Sequence, residues 1–243
     1  MSPASVRQPD RAPLVTPSVV APVRHRCFKP VRCALPSPVR SSLADRTAEA
    51  LADLLPVLGC GEEAAALAFD NLADAAVTDM AGTAALRQIA DEEHVHDALI
   101  HSIAAALPPP SDPARLRANS RRFHLELGRG DPVSRLARIA ALDSAVCLIL
   151  SRLLRRGTPL ADDPVVAGIL RRIARDEARH VRTTRHLAAE RAGEAELLHI
   201  GAPVREALAS LLEQAGDAFE ALAFDPSWLR RDIARLPAGL YRR

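Results

Sequence analysis

Apolar residues recur every three or four positions along most of this chain from residue 41 onward. Ala44, Ala48 and Leu51 fall on one helix face, and Pro56 and Gly59 interrupt that pattern. No segment alternates with period two as a half-buried strand would. The sequence therefore predicts an all-α fold. Its start and stop signals place helices over residues 41–55, 61–77, 79–107, 113–128, 132–156, 164–191 and 203–224, with a last piece at 226–243.

The first forty residues lack this periodic pattern. They hold eight of the nineteen prolines and seven Lys/Arg against one Asp, a net charge of about +6. That composition predicts a disordered or extended leader, with a docking peptide at residues 24–33 as the alternative. We divide the chain into a leader over residues 1–40, a helical bundle over 41–191 and a C-terminal helical extension over 192–243 that packs on the bundle.

Composition and charge exclude several classes of protein. The formal net charge of the whole chain is +2, so the chain after the leader carries about −4. Nucleic-acid binding by the folded part is therefore not expected. No apolar run of 18 residues and no signal-peptide core occurs, so we expect no membrane partner. Cys27, Cys33, Cys60 and Cys147 form no C-x-x-C pair. Four thiols without a secretory signal suit a reducing cytosol, and we expect a cytoplasmic protein.

A short repeat contains the candidate chemistry. Residues 89–96 read Ile-Ala-Asp-Glu-Glu-His-Val-His, and residues 173–180 read Ile-Ala-Arg-Asp-Glu-Ala-Arg-His. Each copy places a Glu and a His three positions apart, which puts both on one helix face. A carboxylate and an imidazole at that spacing can bind one metal ion, and two such helices can bind two. The pairs are Glu93 with His96 and Glu177 with His180.

A bundle that binds two metal ions in this way also needs one carboxylate from each of its other two helices. If the helices pair as antiparallel hairpins, reflecting Glu177 through the turn near residue 160 reaches Asp143, which interrupts an apolar stripe. The same reflection of Glu93 through the turn near residue 78 reaches Glu63, beside Glu62. Glu62 continues the apolar helix face and is the preferred ligand, with Glu63 as the alternative.

The predicted ligands balance two divalent ions in charge. Four carboxylates bring −4, and without metal they would converge uncompensated in an apolar interior. Oxygen ligands with a minority of imidazoles favour iron over zinc or copper(I), with manganese as the second choice. A metal-free bundle with both motif copies facing solvent is the alternative. We predict two iron ions, bound by six residues that are also the catalytic candidates: Glu62, Glu93, His96, Asp143, Glu177 and His180.

This order of motifs resembles the ferritin-like di-iron carboxylate superfamily, which has a carboxylate, an E-x-x-H motif, a second carboxylate and a second E-x-x-H motif. The matching residues span roughly 42–190. The resemblance implies an antiparallel four-helix bundle with extra C-terminal helices. It also implies that Glu92 and Asp176 orient the ligating histidines by contacting the ring nitrogen that does not bind metal. Asp143 stands where the family usually has Glu, and its shorter side chain predicts a weaker hold on one ion.

The resemblance implies three candidate functions. The preferred one is a di-iron oxidase or oxygenase that activates O₂ for an unknown small-molecule substrate, with electrons from an external donor. The chain adds long segments to the bundle of a storage ferritin, and its cysteines cannot form the rubredoxin site of a rubrerythrin. The second candidate is iron binding or ferroxidation without an organic substrate. A shell-sized assembly would favour it, whereas a monomer or the homodimer that we consider possible for this chain would count against it. The third is a metal-free bundle that acts as a partner-binding scaffold.

Overall fold

The protein is helical along most of its described length. A computed structural model describes residues 23–24, 27–28, 31–32, 37–75 and 79–236. Across these residues it has eight α-helices and one short 3₁₀ helix, Pro159–Asp162. The predicted all-α class is confirmed. The helices are α1 (Asp45–Asp74), α2 (Met80–Ala104), α3 (Pro113–Leu127), α4 (Pro132–Leu153), α5 (Pro164–Ala189), α6 (Glu194–Glu213), α7 (Gly216–Ala221) and α8 (Pro226–Ala234).

Three bundle helices begin at the aspartates that their start signals indicate. Asp79 accepts a hydrogen bond from the Gly82 N–H at 2.8 Å, and Asp131 accepts one from the Ser134 N–H at 3.0 Å. Asp163 accepts from two backbone N–H groups of the first turn of α5. Each carboxylate satisfies donors that no helical carbonyl reaches. These caps fix where α2, α4 and α5 begin, and hence which side chains they direct inward.

Two prolines that the pattern places at helix boundaries lie inside helices. α1 continues through Pro56 and Gly59, where the sequence predicts a break. α6 contains Pro203, and α6 and α7 divide the predicted 203–224 helix between them. An interior proline costs about 3 kcal/mol because it removes a backbone hydrogen bond. Pro56 is buried beside the core residue Leu55, so packing of this face outweighs the local penalty.

Four long helices form the bundle. α1 packs along α2, α4 packs along α5, and contacts between α2 and α5 join the two pairs. Few residues separate the partners within each pair, so the partners run antiparallel. α3 connects the pairs and packs on α1 and α6, while α6 packs along α4 and α8 packs against α6. The bundle thus has the architecture that the motif order predicts.

The core consists of two apolar layers with a charged layer between them. One apolar layer includes residues 50–55, 100–103, 145–153 and 166–173, and the other includes residues 69–73, 86–90, 136–140 and 187–188. Between the layers, every long helix contributes buried acidic or histidine side chains that are at most 5 % exposed. The six predicted ligands are among them: Glu62 on α1, Glu93 and His96 on α2, Asp143 on α4, and Glu177 and His180 on α5.

Part of the leader is docked against α1. Cys27 forms a disulfide with Cys60, with their Cα atoms 5.5 Å apart. The Glu63 carboxylate accepts hydrogen bonds from the backbone N–H groups of Cys27 at 2.7 Å and Phe28 at 3.2 Å. The expectation of four thiols is therefore wrong for this pair. Cys147 has a free thiol.

Two short strands also lie in the leader. β1 (Val23–Arg24) pairs antiparallel with β2 (Val31–Arg32). The rest of the predicted leader up to residue 36, including Cys33, lies outside the described residues, as do residues 237–243 at the end of the predicted extension. Within the described ranges, no helix is both long and apolar enough to cross a membrane.

Candidate metal centre

Four buried side chains bring their ligand atoms together in the charged layer. One nitrogen or oxygen from each of Glu62, Glu93, His96 and Glu177 lies within 4.8 Å of all the others. These residues come from α1, α2 and α5, and all four belong to the ligand set predicted from the sequence. A compact group of carboxylate oxygens and an imidazole nitrogen could hold a metal ion.

His96 lies at the centre of this group. Its Nδ1 is 3.3 Å from Oε2 of Glu62, 3.3 Å from Oε2 of Glu93 and 3.7 Å from Oε1 of Glu177. The Glu93 contact is the one expected of residues three apart on a helix. The other two contacts come from neighbouring helices. Three helices therefore converge on one imidazole nitrogen.

The remaining two predicted ligands lie outside that group. His180 Nδ1 is 2.9 Å from Oε1 of Glu93 and 3.8 Å from Oε2 of Glu177, so it adjoins the group through these carboxylates. Asp143 is buried and lines the same cavity as Glu62, Glu93 and Glu177. Its side chain is one methylene shorter than Glu, so its carboxylate stays closer to α4.

Glu93 and Glu177 each direct one oxygen to each histidine. Glu93 presents Oε2 to His96 and Oε1 to His180, and Glu177 presents Oε1 to His96 and Oε2 to His180. The two imidazole ring centres are 5.8 Å apart. A carboxylate with one oxygen on each side can be shared by two ions.

Each imidazole is held from behind by a carboxylate of the other motif copy. His96 contacts Oδ2 of Asp176 through Nε2 at 3.2 Å, and His180 contacts Oε2 of Glu92 through Nε2 at 2.8 Å. Nη2 of Arg179 donates to both acceptors, at 2.9 Å each. A proton on each Nε2 satisfies these contacts and leaves both Nδ1 atoms directed into the cluster. The carboxylates that the resemblance implies as supports therefore each contact the histidine of the opposite helix, Asp176 of α5 the histidine on α2 and Glu92 of α2 the histidine on α5.

Several inward-facing atoms have no hydrogen-bond partner among the described residues. Glu93 Oε1 and His180 Nδ1 are 2.9 Å apart, yet they are not aligned as a hydrogen bond. A buried polar atom without a partner costs about 1–3 kcal/mol, and a cation among these atoms would satisfy them together. The donor set therefore fits a metal ion that prefers oxygen and imidazole ligands. The atoms are Glu62 Oε2, Glu93 Oε1, Asp143 Oδ2 and His180 Nδ1.

Without a metal ion, the two histidines provide the compensating positive charge. Burial alone would lower the pKa of His96, but Glu62 and Glu93 raise it to about 11. Burial likewise opposes the charge on His180, whose pKa Glu177 and Glu93 raise to about 11. The same contacts overcome burial and lower the pKa of Glu93 to about 2. Both imidazoles are therefore cationic at pH 7 and must lose a proton before they bind metal.

The other carboxyl groups of the cluster shift in the opposite direction. Burial raises the pKa of Glu62 and of Asp143 well above the ordinary range, and neighbouring carboxylates add to both shifts. Burial, together with the charge of Glu93, raises the pKa of Glu177 to about 7. Metal binding at neutral pH would therefore release protons from carboxyl groups as well as from imidazoles.

Glu63, the alternative to Glu62, faces the leader. Its carboxylate accepts the two backbone hydrogen bonds from Cys27 and Phe28, and it does not belong to the metal-binding group. Glu62 lies 3.3 Å from His96. The structure therefore brings Glu62, and not Glu63, to the cluster.

An apolar cavity of about 120 Å³ adjoins the cluster. Glu62, Glu93, Asp143 and Glu177 form part of its wall. The rest is mainly aliphatic and comes from α1, from α3 to α7 and from the 3₁₀ helix. The sequence does not predict this cavity. Leucines that line a cavity and leucines that fill a core have the same helical spacing, so the apolar pattern does not distinguish them.

Comparison with known proteins adds no assignment to this geometry. No protein-family model matches the chain, and no curated protein matches it. Support for a family and a function therefore comes from the cluster, its supporting carboxylates and the adjoining cavity.

Proposed function

We propose that this protein is a ferritin-like di-iron protein that uses O₂ to oxidise an organic substrate in the adjoining cavity. The placement of Glu93 and Glu177 between the two histidines supports two ions. Glu62 and His96 would complete the ligands of one ion. The other would take Asp143 and His180. Manganese is the alternative metal because it prefers the same oxygen-rich ligand set.

The apolar cavity is the observation that favours an oxidase or oxygenase over iron binding without an organic substrate. Iron and O₂ need a path to the cluster, but neither needs a wall of aliphatic side chains. Here four carboxylates of the cluster share one cavity with a largely apolar lining. Such a cavity would bind an organic molecule beside the ions and exclude water from the reaction.

The protein would hold the ions, orient their ligands and keep the reacting side dry. Bound, reduced iron supplies electrons and open coordination positions for O₂ activation. Glu92 and Asp176 fix both imidazoles with Nδ1 inward, and Arg179 holds these two acceptors in place. Leu150 and Leu170 line the cavity and would exclude water there.

An external reductant is part of this proposal. In an oxygenase reaction, O₂ receives two electrons from the substrate C–H bond and two from the donor. One oxygen atom enters the substrate, and the other leaves as water with two protons. The cluster residues would position these reactants, but they are not themselves a source of electrons.

O₂ consumption by the anaerobically iron-loaded, chemically reduced protein tests the proposal. We expect faster uptake than in Glu177→Ala, because that change removes a carboxylate that both ions would share. The matched control is Glu196→Ala, which alters an exposed Glu-x-x-His pair with His199 on α6 and should leave uptake unchanged. Equal uptake by the unaltered protein and Glu177→Ala would overturn the proposal. A shell-sized assembly that oxidises many irons per chain would replace it with iron storage.

A further inference from the structure

We propose that the cavity beside the cluster binds one unbranched aliphatic chain of medium length, with its reacting end at the carboxylates. The reaction of this ligand rests on the proposed function, whereas its binding does not. The chemistry of the wall, the length of the cavity and its volume each support this class of ligand.

The wall is polar at one end only. Besides the four cluster carboxylates, His124 is the one lining residue within the described ranges that has a polar side chain. Burial lowers the pKa of His124 to about 4, so its imidazole is neutral at pH 7. The far end is formed by residues such as Leu160, Leu208 and Phe219. Among the lining residues that the structure describes, no side chain there could bind a charged or hydrogen-bonding tail, so the far part of the ligand must be hydrocarbon.

The cavity follows the bundle helices away from the cluster. On α1 its lining residues extend from Glu62 back to Leu51, and on α4 they extend from Asp143 to Leu153. At 1.5 Å per residue, these stretches span roughly 15 Å along the helix axes. A ligand that fills this length with its reacting end at Glu62 and Asp143 is long and narrow.

The length of the lining sets the size of the ligand, and the volume of the cavity sets its shape. An extended alkyl chain advances about 1.3 Å per carbon, so a lining of roughly 15 Å takes at most about twelve carbons. The cavity has a volume of about 120 Å³. Spread over the length of the lining, this volume is one chain wide. It fits an alkyl chain of up to about twelve carbons and excludes a compact cage of the same carbon number.

Calorimetric titration of the full-length protein with neutral linear alcohols tests the binding. The protein is used as purified and without O₂, so no turnover occurs. From hexanol to decanol, affinity should rise about fourfold with each added methylene, because each transfers apolar surface out of water. Beyond dodecanol the gain should stop. Adamantanol has ten carbons in a cage and should bind at least tenfold more weakly than decanol.

Two isoleucines on α4 provide a matched pair of variants. Ile149 lines the cavity, whereas Ile139 belongs to the other apolar layer and does not. They are 9 % and 7 % exposed. In Ile149→Phe, the affinity should stop rising with chain length at a shorter alcohol than in the unaltered protein. Ile139→Phe should leave that length unchanged, although both changes enlarge a buried side chain.

Each outcome decides the proposal. A gain in affinity that stops near twelve carbons, and that stops at a shorter alcohol in Ile149→Phe alone, supports it. Absence of binding, equal affinity for decanol and adamantanol, or a limit that both variants leave unchanged would overturn it. If binding fails while the iron-loaded protein still consumes O₂, the ligand class is wrong and the proposed oxidase or oxygenase stands. If decanol binds while O₂ uptake fails, the cavity assignment stands without that function.

Discussion

The two halves of the cluster come from a repeated motif, but they are not equivalent. On the α1–α2 side, all three predicted ligands belong to the group whose atoms lie within 4.8 Å of one another. On the α4–α5 side, only Glu177 belongs to it. The motif copies themselves are alike, since each imidazole is supported through Nε2 by a carboxylate of the other copy.

The difference lies in the carboxylates that come from outside the motif. Glu62 Oε2 lies 3.3 Å from His96 Nδ1 and belongs to the four-residue group, whereas Asp143 is buried but does not belong to that group. A repeat places equivalent side chains at the same level of the bundle, but side-chain length determines whether they meet. We therefore expect the Glu62–His96 half to bind its ion more tightly than the Asp143–His180 half.

The largest effect should come from a residue that serves both halves. Glu93→Gln should reduce bound metal from about two ions per chain to nearly none, because Glu93 directs one oxygen to each histidine. Glu63→Gln is the matched control. Glu63 is also buried on the bundle but binds the leader backbone, so metal content should not change. Plasma mass spectrometry gives the content, and equal loss in both variants would contradict the shared role of Glu93.

The pH dependence of stability should differ between the metal-free and metal-loaded proteins. Folding raises the pKa of His96 and His180 from about 6.5 to about 11. Their contribution to stability is therefore full below about pH 6.5 and is lost as the pH rises toward 11. Glu177, with its pKa raised from 4.5 to about 7, also reduces stability as the pH rises between these values.

The metal-free protein should accordingly lose stability on the order of a few kcal/mol from pH 5 to pH 9. Metal binding strengthens over the same range because the ligands lose their protons. The difference in melting temperature between loaded and metal-free protein should widen with pH. Denaturant unfolding and thermal scans measure both quantities, and a metal-free protein that gains stability above pH 5 would contradict this account.

The supporting carboxylates should have a smaller effect, and one that crosses between the halves. Asp176→Asn removes the charged acceptor behind His96, and Glu92→Gln removes the one behind His180. Each should weaken binding of the ion at that histidine about 10–100-fold. Asp91→Asn, an exposed change next to Glu92, is the control. If Asp176→Asn weakened the His180 half instead, the crossed arrangement would be wrong.

The smallest effect should come from lengthening the short ligand. Asp143→Glu adds the one methylene by which the side chain of Asp143 is shorter than that of Glu62. The weaker ion should then bind several-fold more tightly, while the affinity for the tighter ion should not change. Leu142→Met, a size-conserving change at the neighbouring cavity residue, should alter neither ion. Competition with a chelator of known affinity resolves the two sites. Weaker binding in Asp143→Glu would show that the site has no room for a longer side chain.

The charged layer could be predicted from the sequence because its signals are local and periodic. Two Glu-x-x-His pairs fix a helix face, and a carboxylate in an apolar stripe, such as Asp143, marks a buried position. The crossed bonds of His96 and His180 could not be predicted from residue types and spacing, because the way α2 faces α5 determines them. In the sequence, Glu92 and Asp176 each precede the Glu-x-x-His pair of their own copy. In the structure, each of these carboxylates contacts the histidine of the other copy.

Three further features depend on tertiary contacts. The helix through Pro56 persists because packing offsets a local penalty. The Cys27–Cys60 disulfide joins residues 33 apart across a proline-rich leader that has no periodic pattern. The cavity is a volume that leucines of several helices leave between them, and a single sequence encodes only that those positions are apolar.

Anaerobic calorimetric titration of the metal-free protein with ferrous iron tests most directly whether the cluster is an unequal two-metal centre. We predict two equivalents per chain in two classes, the tighter class lost in Glu62→Ala and the weaker class strengthened in Asp143→Glu. Proton release, measured in buffers of different ionisation enthalpy, should accompany both classes. Binding of one equivalent or none, or two equivalents of equal affinity that Asp143→Glu leaves unchanged, would contradict the account.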